Sequence, residues 1–172
     1  MSRARDIADL SSVSARLDTV GGSEGALSNR NIVINGAMQV AQRGTSSTGL
    51  GASAGYFTCD RWKMDFNATA GRLTMSQASD GPVGFANCIK LDCTTADTSI
   101  ATGEYIMLEQ RFEGQDLQRI GKGTSSAKEL TLSFYVKANA AFTFGVELFD
   151  NDNTRQITKL FTTSTSWNRI EL

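Results

Sequence analysis

From Asn31 onward the chain is written in short runs that alternate apolar and polar side chains, each bounded by Gly, Ser, Thr, Asn or Asp. Successive residues of a β-strand point to opposite faces, so such a run buries its apolar half only as a strand; wound as a helix it would scatter those residues around the circumference. The run at 129–138, ELTLSFYVKA, is the clearest. It places Leu130, Leu132, Phe134 and Val136 on one face and Thr131, Ser133, Tyr135 and Lys137 on the other. The run at 141–149, AFTFGVELF, stacks Phe142, Phe144, Val146 and Leu148 in the same way, and the two are expected to form a hairpin through Asn139. At 56–66, Trp62, Met64 and Phe66 share a face opposite Arg61, Lys63 and Asp65. Further strands are expected at 32–42, 72–77, 87–93 with Ile89 and Leu91, and 104–112 with Ile106, Leu108, Gln110 and Phe112 on one face. The Gly/Ser/Thr-rich stretch 44–55 reads as a loop, and the polar turn Asp150-Asn151-Asp152-Asn153 introduces the last strands at 155–162 and 166–172. Short strands with one apolar face, in a chain of 172 residues with a single proline, predict a mainly-β, antiparallel two-sheet sandwich over residues 31–172.

Residues 1–30 follow a different rule. Ile7, Leu10, Val13, Leu17 and Val20 are separated by three or four positions, which is helical spacing. Asp6 and Asp9 stand near the start, where carboxylates suit the helix dipole, and Gly21-Gly22 supplies a stop. A helix this short is marginal on its own in water, so its stripe needs a partner. Two readings remain open: the stripe folds back on its own domain, or it serves self-association or docking into another protein. The spacing fits a short coiled-coil seam, which Ser14 interrupts. Residues 21–30, GGSEGALSNR, read as a flexible linker.

Composition removes several classes of chemistry. The chain has no histidine, which eliminates Ser-His-Asp triads, Cys-His dyads, His-ligated zinc and His general bases. With 17 Lys+Arg against 18 Asp+Glu the net charge is −1, and no excess positive field draws in a phosphate backbone, so nucleic acid is not expected as a partner. Cys59, Cys88 and Cys93 are odd in number and contain no CxxC pair, which fits reduced small hydrophobes better than a disulfide framework or a thiolate metal site. The opening MSRARDIADL lacks the apolar core of a signal peptide and no later run is long enough to span a bilayer, so synthesis in a cytoplasm and no membrane insertion are expected.

Two groups of residues carry a resemblance. The stretch from Glu129, with SFYVKA at 133–138 and Trp167-Asn168-Arg169 near the end, resembles the second half of jelly-roll carbohydrate-binding-like modules. NRNIVINGAMQVAQRGTS at 29–46, the step from Tyr56 into CDRW at 59–62, and YIMLEQRFEGQDL at 105–117 resemble the pattern of virion proteins of tailed bacteriophages, in tail fibres and related receptor-binding polypeptides. The opening MSRARDIADLSS is similar to the starts of such fibres. The resemblance implies a jelly-roll domain in a virion structural protein that is homotrimeric, attaches by its N-terminal segment to other tail or adaptor proteins, and adsorbs to a host-surface glycan without catalysis. It makes Ile7, Leu10, Val13, Leu17 and Val20 the expected attachment and oligomerisation residues. In the family further strands follow the Trp-containing strand, so a continuation beyond Leu172, or a strand from a neighbouring subunit, is expected here. The alternatives are a carbohydrate-binding module of a bacterial extracellular protein, a capsid head-fibre or decoration protein, and an enzyme acting on capsule or wall polysaccharide.

Sugar-binding jelly-rolls stack exposed aromatic rings on pyranose faces, which makes Tyr56, Tyr105 and Tyr135 the glycan-binding candidates. Trp62 and Trp167 sit in register with apolar neighbours and read as core. Asp150 to Asn153 with Glu147 offer oxygens to calcium, but lack the Gly and terminal Glu of an EF-hand loop, so a plain hairpin turn is preferred and no cofactor is expected. Asp60-Arg61 beside Glu109, Arg111 and Glu113 reads as a cross-strand ion-pair ladder that sets register. No catalytic pair of carboxylates and no phosphate loop is singled out; GKGT at 121–124 is a turn.

Overall fold

The computed structural model describes residues 31–172, and the expected N-terminal helix with its stripe, Ile7, Leu10, Val13, Leu17 and Val20, lies outside the described residues. The chain divides into two compact units, Met1–Ile34 and Asn35–Leu172. In the first, the Val33 backbone N–H donates to Asn31 Oδ1 at 3.0 Å.

The second unit is mainly β, and every strand pair is antiparallel, an arrangement consistent with a β-sandwich. Its strands are β1 (Ser46–Leu50), β2 (Lys63–Asn67), β3 (Arg72–Ala78), β4 (Cys88–Thr95), β5 (Tyr105–Glu109), β6 (Ser133–Val136), β7 (Thr143–Asp150), β8 (Arg155–Thr162) and β9 (Asn168–Glu171). A short 3-10 helix, Gly114–Ile120, separates β5 from β6. The sheets are ordered β1-β3-β4, β2-β5, β6-β9 and β7-β8.

The core lies between the first two sheets. Leu73 and Met75 alternate with Thr74 and Ser76 along β3 and are buried with Leu50 of β1 and Met64 of β2; Phe57, Trp62, Phe66 and Ile89 pack against them. Trp62, Met64 and Phe66 thus share the core face, as their spacing predicts. Gly51 follows Leu50 at φ 144°, and a Cβ there would stand 2.3 Å from the Gly71 carbonyl oxygen, so the turn leaving β1 accepts only glycine.

Several expectations need correction. Residues 32–42 are not a strand: Met38 N–H bonds the Asn35 carbonyl at 3.0 Å, and both Asn35 and Met38 take positive φ, which breaks the extended run. The expected loop 44–55 contains β1, whose small polar residues pair with β3 through a bulge. The runs 129–138 and 141–149 do not form a hairpin. β6 pairs with β9 and β7 with β8, because residues 138–142 cross from one sheet to the other along the chain at 163–164: Ala138 N–H bonds Ser164 O, and Thr163 N–H bonds Phe142 O. The polar turn after Asp150 does form a hairpin, between β7 and β8. In β5, Ile106 and Leu108 share a face but remain exposed, and among the described residues β5 pairs with β2 alone in a two-stranded sheet.

Candidate functional site

A hydrogen-bonded corner in this unit is built from three separate pieces of sequence. Asn35 sits at φ 55°, a left-handed conformation that asparagine tolerates better than most residues. Its side-chain oxygen accepts from the backbone N–H groups of Gln39 (2.9 Å) and Val40 (3.0 Å), and its amide donates to the carbonyls of Val40 (2.9 Å) and Asp60 (3.0 Å). The Trp62 indole N–H donates to the Asn35 carbonyl at 3.2 Å, and the Asp60 N–H to the Val40 carbonyl at 2.9 Å. Gln77 of β3 closes the far side by donating to the carbonyls of Met38 and Gln39. One asparagine therefore satisfies four backbone groups that the turn would otherwise leave open.

Beside this corner the chain turns tightly between Cys59, whose carbonyl accepts from Trp62 N–H at 3.3 Å, and Trp62. Arg61 occupies the third position of the turn at φ 73°, where glycine is the usual residue. Thr58 and Cys59 are fully buried behind it, and burial pushes the Cys59 thiol above its ordinary range. In front is an open groove of about 290 Å³ lined by Gln42, Arg43, Tyr56, Asp60 and Arg61. The Arg43 guanidinium lies 5.7 Å from the centre of the Tyr56 ring and reaches Asp60 Oδ1 at 3.5 Å, while the same carboxylate oxygen accepts the Gln42 N–H at 3.2 Å. The groove thus combines an aromatic face, two guanidiniums, an amide and one carboxylate.

Of the three tyrosine candidates only Tyr56 lines this groove. Tyr105 is on β5 opposite Asn67, and Tyr135 is on β6 with its ring 5.9 Å from that of Phe85. All three are close to two-fifths exposed, and no ring contact joins them among the described residues. Trp62 packs against the core, and the Trp167 ring is covered by the Lys137 ammonium 5.2 Å from its centre.

The expected ion-pair ladder exists with different members. Lys63 Nζ bonds Asp65 along β2 (2.7 Å) and Glu109 across the β2–β5 pair (2.8 Å), and Arg111 reaches Glu109 at 2.9 Å and Asp65 at 3.7 Å. Lys63 holds the Asp65 carboxyl below its usual range. Asp60 turns instead to Gln42 and Arg43, because the turn at 59–62 points it away from β5; Glu113 accepts from Gln115. At the β7–β8 turn, Lys122 reaches Asp150 at 2.8 Å and Asp152 at 3.0 Å, and with Asn153 it pulls the Asp150 carboxyl down to about 2. Those oxygens face an ammonium group, and no cluster of three or more metal-ligating residues occurs among the described residues. Cys59 is buried as a small hydrophobe, whereas Cys93 is exposed on β4, which among the described residues stands at the edge of its sheet.

Sequence reasoning missed Asn35, Gln42, Arg43 and Arg61 as a group. The signal lay in the letters NG, QRG and DRW, whose turn-forming residues stand well apart in sequence and converge only through the fold. No family model, curated protein or solved structure matches the chain. Among the described residues no helix is long and apolar enough to cross a membrane.

Proposed function

We propose that the chain is a virion structural protein, a tail fibre or related appendage of a tailed bacteriophage, attached to the particle by its N-terminal segment and contributing to adsorption on a host-surface glycan. The observation that carries this reading is the convergence of the fibre-like residues. Asn35, Gln42, Arg43, Asp60 and Trp62, drawn from the NGAMQVAQRG and DRW pieces, form one hydrogen-bonded corner, and Tyr56 lies under Arg43 in the groove on its surface. The module-like pieces also meet: SFYV of β6 pairs with NRIE of β9, and Lys137 caps Trp167. A jelly-roll path for the strands and a trimer seamed by Ile7, Leu10, Val13, Leu17 and Val20 belong to the same proposal. Function follows from avidity, since three weak sites on one fibre raise the effective concentration at a surface, and no bond is made or broken.

Immunogold labelling of particles released from cells that carry this gene tests the reading. Label on the tail is the expected result. Label on the head transfers the chain to capsid decoration, and label on no particle overturns the virion reading in favour of a carbohydrate-binding module.

A further inference from the structure

We infer that the groove of Gln42, Arg43, Tyr56, Asp60 and Arg61 recognises the carboxylate of an acidic saccharide, with Arg61 as the residue that reads it; this rests on the glycan-adsorption reading and specifies its ligand. Arg61 stands at φ 73° in the turn that closes on Trp62, where glycine would fold with less strain. Strain of this kind persists where the surrounding structure enforces it, and at binding sites it serves to aim a side chain. Here the surroundings do enforce it: Asn35 ties the Asp60 carbonyl, Trp62 is anchored to Asn35, and Thr58 and Cys59 are buried behind. Glycine would satisfy the turn, so the arginine side chain is what the strain holds in place.

Charge then selects the ligand. Among the described residues Arg61 is exposed and enters no ion pair, while Arg43 meets Asp60 at 3.5 Å with its side chain 54 % exposed. Two guanidiniums against one carboxylate leave a single net positive charge, which suits a monoanion better than a dianionic phosphate. A guanidinium fork matches the two oxygens of a planar carboxylate. The neighbouring Tyr56 ring, with Arg43 over one face and 41 % of its surface exposed, offers apolar surface to the C–H side of a pyranose, and the Gln42 amide supplies hydroxyl recognition. A uronate-type sugar joins a carboxylate, a ring face and hydroxyls in one residue, whereas a free carboxylate would leave the tyrosine unused.

The test is calorimetric titration of the full chain with oligogalacturonate, hyaluronan fragments and oligosialic acid, each beside its methyl ester, with dextran as neutral and dextran sulfate as non-carboxylate controls. The expected result is saturable binding of at least one acidic fragment, weakened about tenfold or more by esterification, by Arg61→Gly and by Tyr56→Ala. Arg61→Gly relieves the turn, so its unfolding midpoint should be unchanged or higher, which separates lost recognition from lost folding. Equal affinity for acid and ester, equal affinity for dextran sulfate, binding of dextran alone, or full affinity in Arg61→Gly overturns the carboxylate assignment and leaves glycan adsorption standing. Binding of no saccharide at all overturns both.

Discussion

Residues 35–95 and residues 129–172 are both built from alternating strands, but they bury their apolar faces to different degrees. In the first region β1, β2 and β3 enclose Met64 and Met75 completely, and polar ties from Asn35 and Gln77 close the loops over that core. In the second, β6–β9 and β7–β8 meet through Phe134 against Phe161 at 5.1 Å, while Phe144 stacks on Phe161 at 5.9 Å within the β7–β8 pair itself. Yet Phe144, Leu148 and Ile157, on the face that carries this contact, remain 48 %, 50 % and 55 % exposed. Two-stranded sheets are too narrow to cover each other, and such ribbons are marginal alone. Alternation marks the face a strand wants to bury; width and loop closure decide whether it is buried.

The contrast can be broken most sharply by truncation in each region. Met75→Ala is expected to cost about 2–5 kcal/mol in urea unfolding, as for a fully enclosed methionine. Leu148→Ala should cost no more than about 1 kcal/mol, since half of its surface already meets water. Equal losses would mean that the C-terminal strands are covered in solution by something further. Asn35→Ala comes next, at about 2–3 kcal/mol, because the backbone groups of Gln39, Val40 and Asp60 lose their shared partner. A loss below about 1 kcal/mol would show that water replaces the asparagine and that the corner does not stabilise the first region.

The smallest effect is electrostatic. Asp150 is lowered from 3.8 to about 2 by Lys122 and Asn153. A depressed carboxylate contributes stability that is present above its unfolded pKa and is lost as pH falls through the folded one, so the tie at the β7–β8 turn should weaken between about pH 4 and pH 2. Carboxyl NMR should show Asp150 titrating higher in Lys122→Ala, part of the way back towards its ordinary value because Asn153 still donates to it, with little change in the unfolding midpoint at neutral pH, as befits an exposed pair. An unshifted Asp150 in that variant would assign the depression to the turn's own hydrogen bonds.

Much of the strand content was legible because burial on one face imposes period two locally. The core face of Trp62, Met64 and Phe66 and the half-buried row Leu132, Phe134 and Val136 follow directly from it. The stretch 32–42 misleads for a local reason: IVINGAMQV has strand-like composition, but the left-handed conformations at Asn35 and Met38 turn it into a corner. β1 misleads in the opposite sense, since SSTGL has little apolar surface and becomes a strand only by pairing with β3. The candidate site was legible in Tyr56 alone, because an exposed aromatic can be read from its own position, whereas Arg43 and Arg61 acquire meaning from what they face.

Composition and local spacing were enough to establish that this chain is mainly β with antiparallel neighbours, that it has no histidine chemistry, and that the β7–β8 connection is a tight polar turn, for each of these depends on residue content or on residues close together along the chain. Only the tertiary structure decided that β6 joins β9 rather than β7, that Lys63 and Asp65 rather than Asp60 meet Glu109, and that NG, QRG and DRW build one corner. Those choices set distant segments against one another. Their energies lie in partners that no local pattern specifies, so they are settled only when the whole chain finds the arrangement that satisfies its backbone groups and its core together.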